Sequence, residues 1–355
     1  MTERRRASDR ATRCASAAIA LLACLAQGDT LSARPASATP DASPITDITV
    51  TARRIANFKS IPFTGTGAGK LEFRGGLVLS STAKEFGGLS GIVLEPDGRR
   101  FMAVSDEGTW LSGELTYDGA APSGIRATRM APIKALRGRK LDRKRDLDAE
   151  AMTLIDGTLD HGTLMVGFER NHRIGIFPVV KGELQPPTRY LTNPPEARRM
   201  RSNSGFEAIA VLHGGPMKGA IIAFAERFPG DTSQHAGWIW LKDKPHRLSL
   251  SDIRGFDVTD ATSLADGTLL ILERRFRWTE GVQMRIRSIA AKDIRPGARM
   301  QGETLLEADY SSEIDNMEGL AAHRGPTGET VLTVISDNNF NTFLQKTLLL
   351  QFTLR

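Results

Sequence analysis

From residue 88 onward the chain repeats one pattern of apolar and polar positions. A short apolar run leads through a polar turn, usually bearing glycine, into a second apolar run that stops at an acid. Residues 88–93 (GLSGIV) lead through 96–98 (PDG) to 101–106 (FMAVSD). Residues 148–153 (DAEAMT) lead to 164–169 (LMVGFE), and 205–210 (GFEAIA) to 221–226 (IIAFAE). Residues 259–264 (TDATSL) lead through Asp266-Gly267 to 269–273 (LLILE), and 316–321 (NMEGLA) to 331–337 (VLTVISD). The units start at 88, 148, 205, 259 and 316, at intervals of 60, 57, 54 and 57.

Apolar runs this short, bounded by turn residues, predict strands, and pieces between the units, such as 237–241 (GWIWL) and 284–289 (MRIRSI), add more. Three or four strands per unit, repeated about every 50 residues, predict an all-β protein with the β-propeller fold. A parallel α/β fold would need amphipathic helices between the strands, and few segments qualify. Residues 48–81 hold enough strand for most of a sixth blade, completed by 347–354. Six blades are therefore expected, with five as the fallback.

The pattern has a consequence for the acids. The two strands of a hairpin run antiparallel, so the start of the first and the end of the second share one end of the blade. Glu150 and Glu169 are 19 residues apart, as are Glu207 and Glu226, and Glu318 and Asp337. In the fourth unit the matching acids are Asp260 and Glu273, 13 apart, and the first unit offers Ser90 and Asp106. Repeated around a ring, this brings carboxylates from every unit to one mouth of the channel. Like charges so placed need cations or protons to offset them. Three of the runs end in Glu-Arg, which supplies Arg170, Arg227 and Arg274. A hard metal ion is the other offset. Ca²⁺ is the first candidate, because it takes about six to eight oxygen ligands, and Asn316, Asn338, Asn339 and Asn341 lie near the same mouth. Each Glu-Arg pair, taken singly, also reads as an inter-blade salt bridge.

Composition narrows the picture. The first 38 residues run from five arginines through an apolar stretch, 15–26, to small residues ending Ala36-Ser37-Ala38. That order is an export signal, too short to span a bilayer permanently. Periplasmic or secreted localisation is expected, with residues 39–46 as a linker and 47–355 as the domain. Both cysteines, Cys14 and Cys24, fall inside the signal. Cys24, after Leu21-Leu22-Ala23, reads either as a lipid-anchor site or as part of the apolar run. A mature chain without cysteine excludes thiol catalysis and thiolate metal sites. Removing residues 1–38 lowers the net charge from +6 to +3, which is no nucleic-acid footprint. The basic run 137–145 (RGRKLDRKR) reads as a solvated loop, and 65–70 (GTGAGK) lacks the Walker spacing.

Five stretches together resemble a known family. Residues 87–92 (GGLSGI), 105–108 (SDEG), 203–207 (NSGFE), 272–274 (LER) and 335–341 (ISDNNFN) are similar, in order, to the phytase-like proteins, described as "esterase-like activity of phytase". The resemblance spans about 47–355. Asp106 and Asp260 are departures, standing where members more usually carry Arg and Glu. The resemblance implies a hydrolase acting on a small anionic ester, as a monomer. Asp106, Glu150, Glu207, Asp260, Glu318 and Asp337 would hold Ca²⁺. Glu169, Glu226 and Glu273 would be the catalytic carboxylates, and Arg170, Arg227 and Arg274 would bind the phosphate. Two alternatives stay open. One is carboxylester or lactone hydrolysis, with His172 as a candidate base. The other is a periplasmic ligand-binding propeller without catalysis.

Overall fold

The computed structural model describes residues 44–59 and 69–355. The export signal, Cys24, most of the linker and the glycine-rich 60–68 lie outside the described residues. Thr46, assigned to the linker from sequence, belongs to the two-residue strand Thr46–Asp47, which pairs with Met130 and Arg129 on the edge of the first blade.

The described chain forms five blades, antiparallel except where Ser249 and Leu250 pair in parallel with Arg299 and Met300 at the edge of the third. Their inner strands are Leu89–Leu94, Ala149–Gly157, Phe206–Val211, Asp257–Ser263 and Asn316–Arg324. The second strands are Arg100–Ser105, His161–Phe168, Ile221–Ala225, Leu269–Arg277 and Thr330–Asp337. These are the hairpins anticipated from the repeat. The five-blade fallback is correct and the sixth blade is not formed. Among the described residues, 48–81 supply two outer strands, Val50–Ile55 and Leu71–Ser81. Leu71–Ser81 pairs along its length with Thr347–Leu354, which in turn pairs with the second strand of blade five. A separate blade would need an inner strand of its own, and the described residues of 48–81 form none.

Five hydrophobic clusters hold the ring together, one at each junction between neighbouring blades. Leu269 and Ile271 pack toward blade three, while Leu270 and Leu272 pack toward blade five. Both faces of these strands are buried, which is why they read as unbroken apolar runs rather than alternating ones. The junction between blades five and one is built like the other four, with Leu77, Ile335 and Leu349 packed against Leu89, Ile92 and Phe101. The circle is therefore closed by ordinary core packing.

Each inner strand carries a β-bulge near its start. The ladder skips Ser90, Glu150, Glu207, Thr259 and Glu318 in blades one to five. A bulge redirects one side chain out of the pleat, and here it does so at the same level of every blade. Among the described residues, no helix is long and apolar enough to cross a membrane.

Candidate metal and ester site

The bulges and strand ends meet at one mouth of the channel, around a cavity of about 940 Å³. Four of the five bulge residues line it: Ser90, Glu150, Glu207 and Glu318. The residues that follow Ser105, Phe168, Ala225, Glu273 and Ser336 on or just past the second strands form the next tier. By register these are Asp106, Glu169, Glu226, Arg274 and Asp337, placed opposite Gly88, Asp148, Gly205, Asp257 and Asn316. All five line the cavity.

Blade four departs from the sequence reading. Its bulge residue is Thr259, whose hydroxyl donates to the Met317 carbonyl at 3.1 Å. Asp260, expected among the metal ligands, lies one position further along. It is fully buried, and its carboxylate accepts the N–H groups of Ala261 at 2.8 Å and Leu320 at 2.7 Å. Glu273, expected to be catalytic, is also fully buried outside the cavity. It accepts Arg285 Nε at 2.7 Å and Arg287 Nε at 2.8 Å. The cavity position belongs to Arg274. The shared Glu-Arg dipeptide hid this: aligning on it slips blade four by one residue, and one residue in a strand is the opposite face.

Arg227 is also placed elsewhere. It pairs in bidentate fashion with Asp257, at 2.8 and 2.6 Å, in a separate polar cleft with Arg201 and Asp231. Arg170 stays at the cavity but is engaged by the buried Asp148. His172 sits behind the wall: a Cβ on Gly205 would come within 2.9 Å of both its Nδ1 and the Glu169 Cα. Asn316, Asn339 and Asn341 line the cavity, whereas the Asn338 Oδ1 accepts the backbone N–H groups of Gly88 and Phe340 at 3.2 and 3.1 Å.

Two members of the site were not singled out from sequence. Asp148 opens the second unit and was read only as a strand start. Lys144, in the basic run, is not simply solvated. A short helix, Lys144–Leu147, directs its Nζ to Asp106 at 3.1 Å, Glu107 at 2.9 Å and Asp148 at 3.0 Å.

The electrostatics follow from this crowding. Burial, then the charges of Asp148, Glu318 and Glu169, raises Glu150 well above the ordinary carboxyl range. Burial, then Glu150 and Glu226, does the same to Glu207. Burial lifts Glu169 and Glu318 to about 7 and Asp337 to about 6. Arg274 opposes the trend, with Nε 3.0 Å from Glu318 and one terminal nitrogen 3.7 Å from Glu226. Two triads have carboxylate oxygens within 4.8 Å of one another: Asp148, Glu150 and Glu169, and Glu169, Glu207 and Glu226. Glu169 belongs to both. The donors are all carboxylates, the set that suits a hard cation such as Ca²⁺ or Mg²⁺, and carboxyls held this high are those a cation would relieve.

Residues 84–340 match the family described as "Phytase-like: Esterase-like activity of phytase". No curated protein matches the chain. Among solved structures, the N-terminal domain of Nup159 is similar at 10% identity and TM-score 0.35, over 82% of this chain and 97% of that one. The Dos1 propeller is similar at 9% and 0.34, over 79% and 72%. XC5397 from Xanthomonas campestris, described as a gluconolactonase, is similar at 9% and 0.35, over 87% and 97%.

Proposed function

We propose that this chain, which belongs to the phytase-like family, is a hydrolase that cleaves a phosphate monoester or a related ester at the acid mouth of its channel with the help of a divalent cation, Ca²⁺ being the first candidate. The observation that carries this reading is the pair of carboxylate triads sharing Glu169. Asp148, Glu150, Glu169, Glu207 and Glu226 would hold the cation. Once bound, it would polarise the ester and lower the pKa of water.

The chain's own groups supply the rest. Glu318 lies outside both triads and, at about 7, can take and return a proton near neutral pH. Arg274 holds that carboxyl in place and offers positive charge to an anionic oxygen. Arg170 fixes Asp148, so it orients a ligand of the cation rather than free substrate. The basic, apolar and small-residue order of residues 1–38 supports export to the periplasm or beyond.

The test is hydrolysis by purified protein, with and without millimolar Ca²⁺, of p-nitrophenyl phosphate, phytate, an aryl acetate and a lactone. Cation-dependent turnover lost in Glu169→Gln is expected. If no ester is cleaved at any cation concentration, the catalytic reading falls and a binding propeller replaces it.

A further inference from the structure

The cavity has two unlike walls. Blades one, two, three and five contribute carboxylates, whereas Phe276, Trp278, Val282 and Tyr310 of blade four, with Leu344 from blade five, contribute apolar surface to the same space. Trp278 is 94% exposed and Tyr310 and Leu344 are each 72% exposed. Scattered apolar side chains on a surface need no explanation, but a contiguous group lining a polar cavity marks a binding surface.

The wall is built rather than incidental. In blades one to three the second strand stops level with Glu273, at Ser105, Phe168 and Ala225, whereas in blade four it runs on to Arg277. The extension lifts Phe276 and Trp278 beyond the tier of charges, their rings edge to face at 5.5 Å. Arg275, on the opposite face, braces the hairpin. Its guanidinium donates to Gln283, to Glu280 at 2.6 Å and to the Arg254 carbonyl at 2.7 Å. Tyr310 stands beside the same hairpin, next to Gly281. Blade four also lacks the acids of its neighbours, having Thr259 and Arg274 in their places.

We propose that the site takes an amphiphilic monoester. One small head, anionic or carbonyl, meets the carboxylates and their cation, while an aromatic or other flat apolar body lies against Phe276, Trp278 and Tyr310. The head assignment rests on the ester-hydrolase reading; the body assignment rests on the wall alone. A polyphosphorylated polyol is disfavoured as substrate. It would set several phosphates against the acids and the apolar wall, while Arg170 and the adjoining Lys144 are held by Asp148 and leave Arg274 to face them.

The test uses non-hydrolysable ligands, so it does not depend on turnover. Calorimetry of the full protein with phenylphosphonate and methylphosphonate, and with phenylacetate and acetate, is run with and without Ca²⁺; the two pairs separate the head chemistries. The phenyl member of the binding pair is expected to be about 10-fold tighter, the scale of an aromatic contact. The double variant Phe276→Ser, Trp278→Ser, confined to exposed side chains, should reduce the phenyl ligand to the affinity of the methyl one. Trp278 also reports directly, because Trp110, Trp238 and Trp240 are buried. Its emission should move to the blue with the phenyl ligand and stay put with the methyl one. Equal affinities within both pairs, discrimination that survives the double variant, or no binding by any ligand overturns the proposal. Discrimination without hydrolysis of any ester would sink the catalytic reading and leave this one standing.

Discussion

The runs ending GFER and AFAER and the run ending LILER look alike in sequence but occupy different environments. In blades two and three the glutamate faces the channel, among other carboxylates, with its proton affinity raised by burial. In blade four the glutamate faces the blade interior, between Arg285 and Arg287, and none of the three is exposed. One acid is crowded by its own sign; the other is clasped by the opposite one. The first arrangement is costly until something positive arrives, which suits a binding site. The second is satisfied as it stands and belongs to the frame.

The largest expected effect comes from breaking the frame. Glu273→Ala leaves two buried guanidinium groups without their carboxylate and should lower unfolding free energy by about 3–5 kcal/mol. Denaturant titration measures it, and a loss below about 1 kcal/mol would remove the distinction drawn above. The mirror experiment is Glu169→Gln. It should reduce turnover by about 10²–10⁴-fold, the scale of a lost acid–base or cation-binding group, while leaving stability equal or improved, because one repelling charge is gone. A stability loss matching that of Glu273→Ala would put Glu169 in the frame as well.

A pH series sharpens the contrast. Glu169 and Glu318 are raised from 4.5 to about 7, and Asp337 from 3.8 to about 6. The folded state therefore binds protons more tightly than the unfolded one across this range. The associated stability is present below about pH 4 and is lost as pH rises to about 7. In chelator, the melting temperature should fall between about pH 5 and pH 8, and millimolar Ca²⁺ should flatten the fall. A slope unchanged by Ca²⁺ would argue that the acids hold no cation. The smallest effect is expected from Arg227→Gln. Its pair with Asp257 is largely solvent-exposed on the arginine side, so stability should change by no more than about 1 kcal/mol and turnover not at all.

Much of this was legible in the chain. Apolar runs separated by turns showed the hairpins, and the 19-residue spacing placed Glu150, Glu169, Glu207, Glu226, Glu318 and Asp337 at one mouth. What sequence spacing could not supply was register. A bulge adds one residue to a strand without any required side chain, and the shorter hairpin of blade four then made Asp260 and Glu273 look like counterparts of the channel acids. The six-blade expectation gives way to the five-blade fallback for a related reason: Val50–Ile55 and Leu71–Ser81 are strands as read, but which edge they join is a long-range choice. Lys144 was hidden because a basic run gives no sign of which lysine a short helix turns inward.

The blade that closes the ring has a consequence in time. The inner hairpin of every blade is made from neighbouring stretches of chain, whereas Leu71–Ser81 must wait for Thr347–Leu354, four blades later. Loop closure over such a distance is slow relative to hairpin formation. A folding chain would thus pass through an open arc whose end blades expose the apolar faces of Leu89 and Ile335. Until the arc closes, Asp106 of blade one stands apart from Asp337 of blade five, so the triads of blades two and three precede the completed rim of acids.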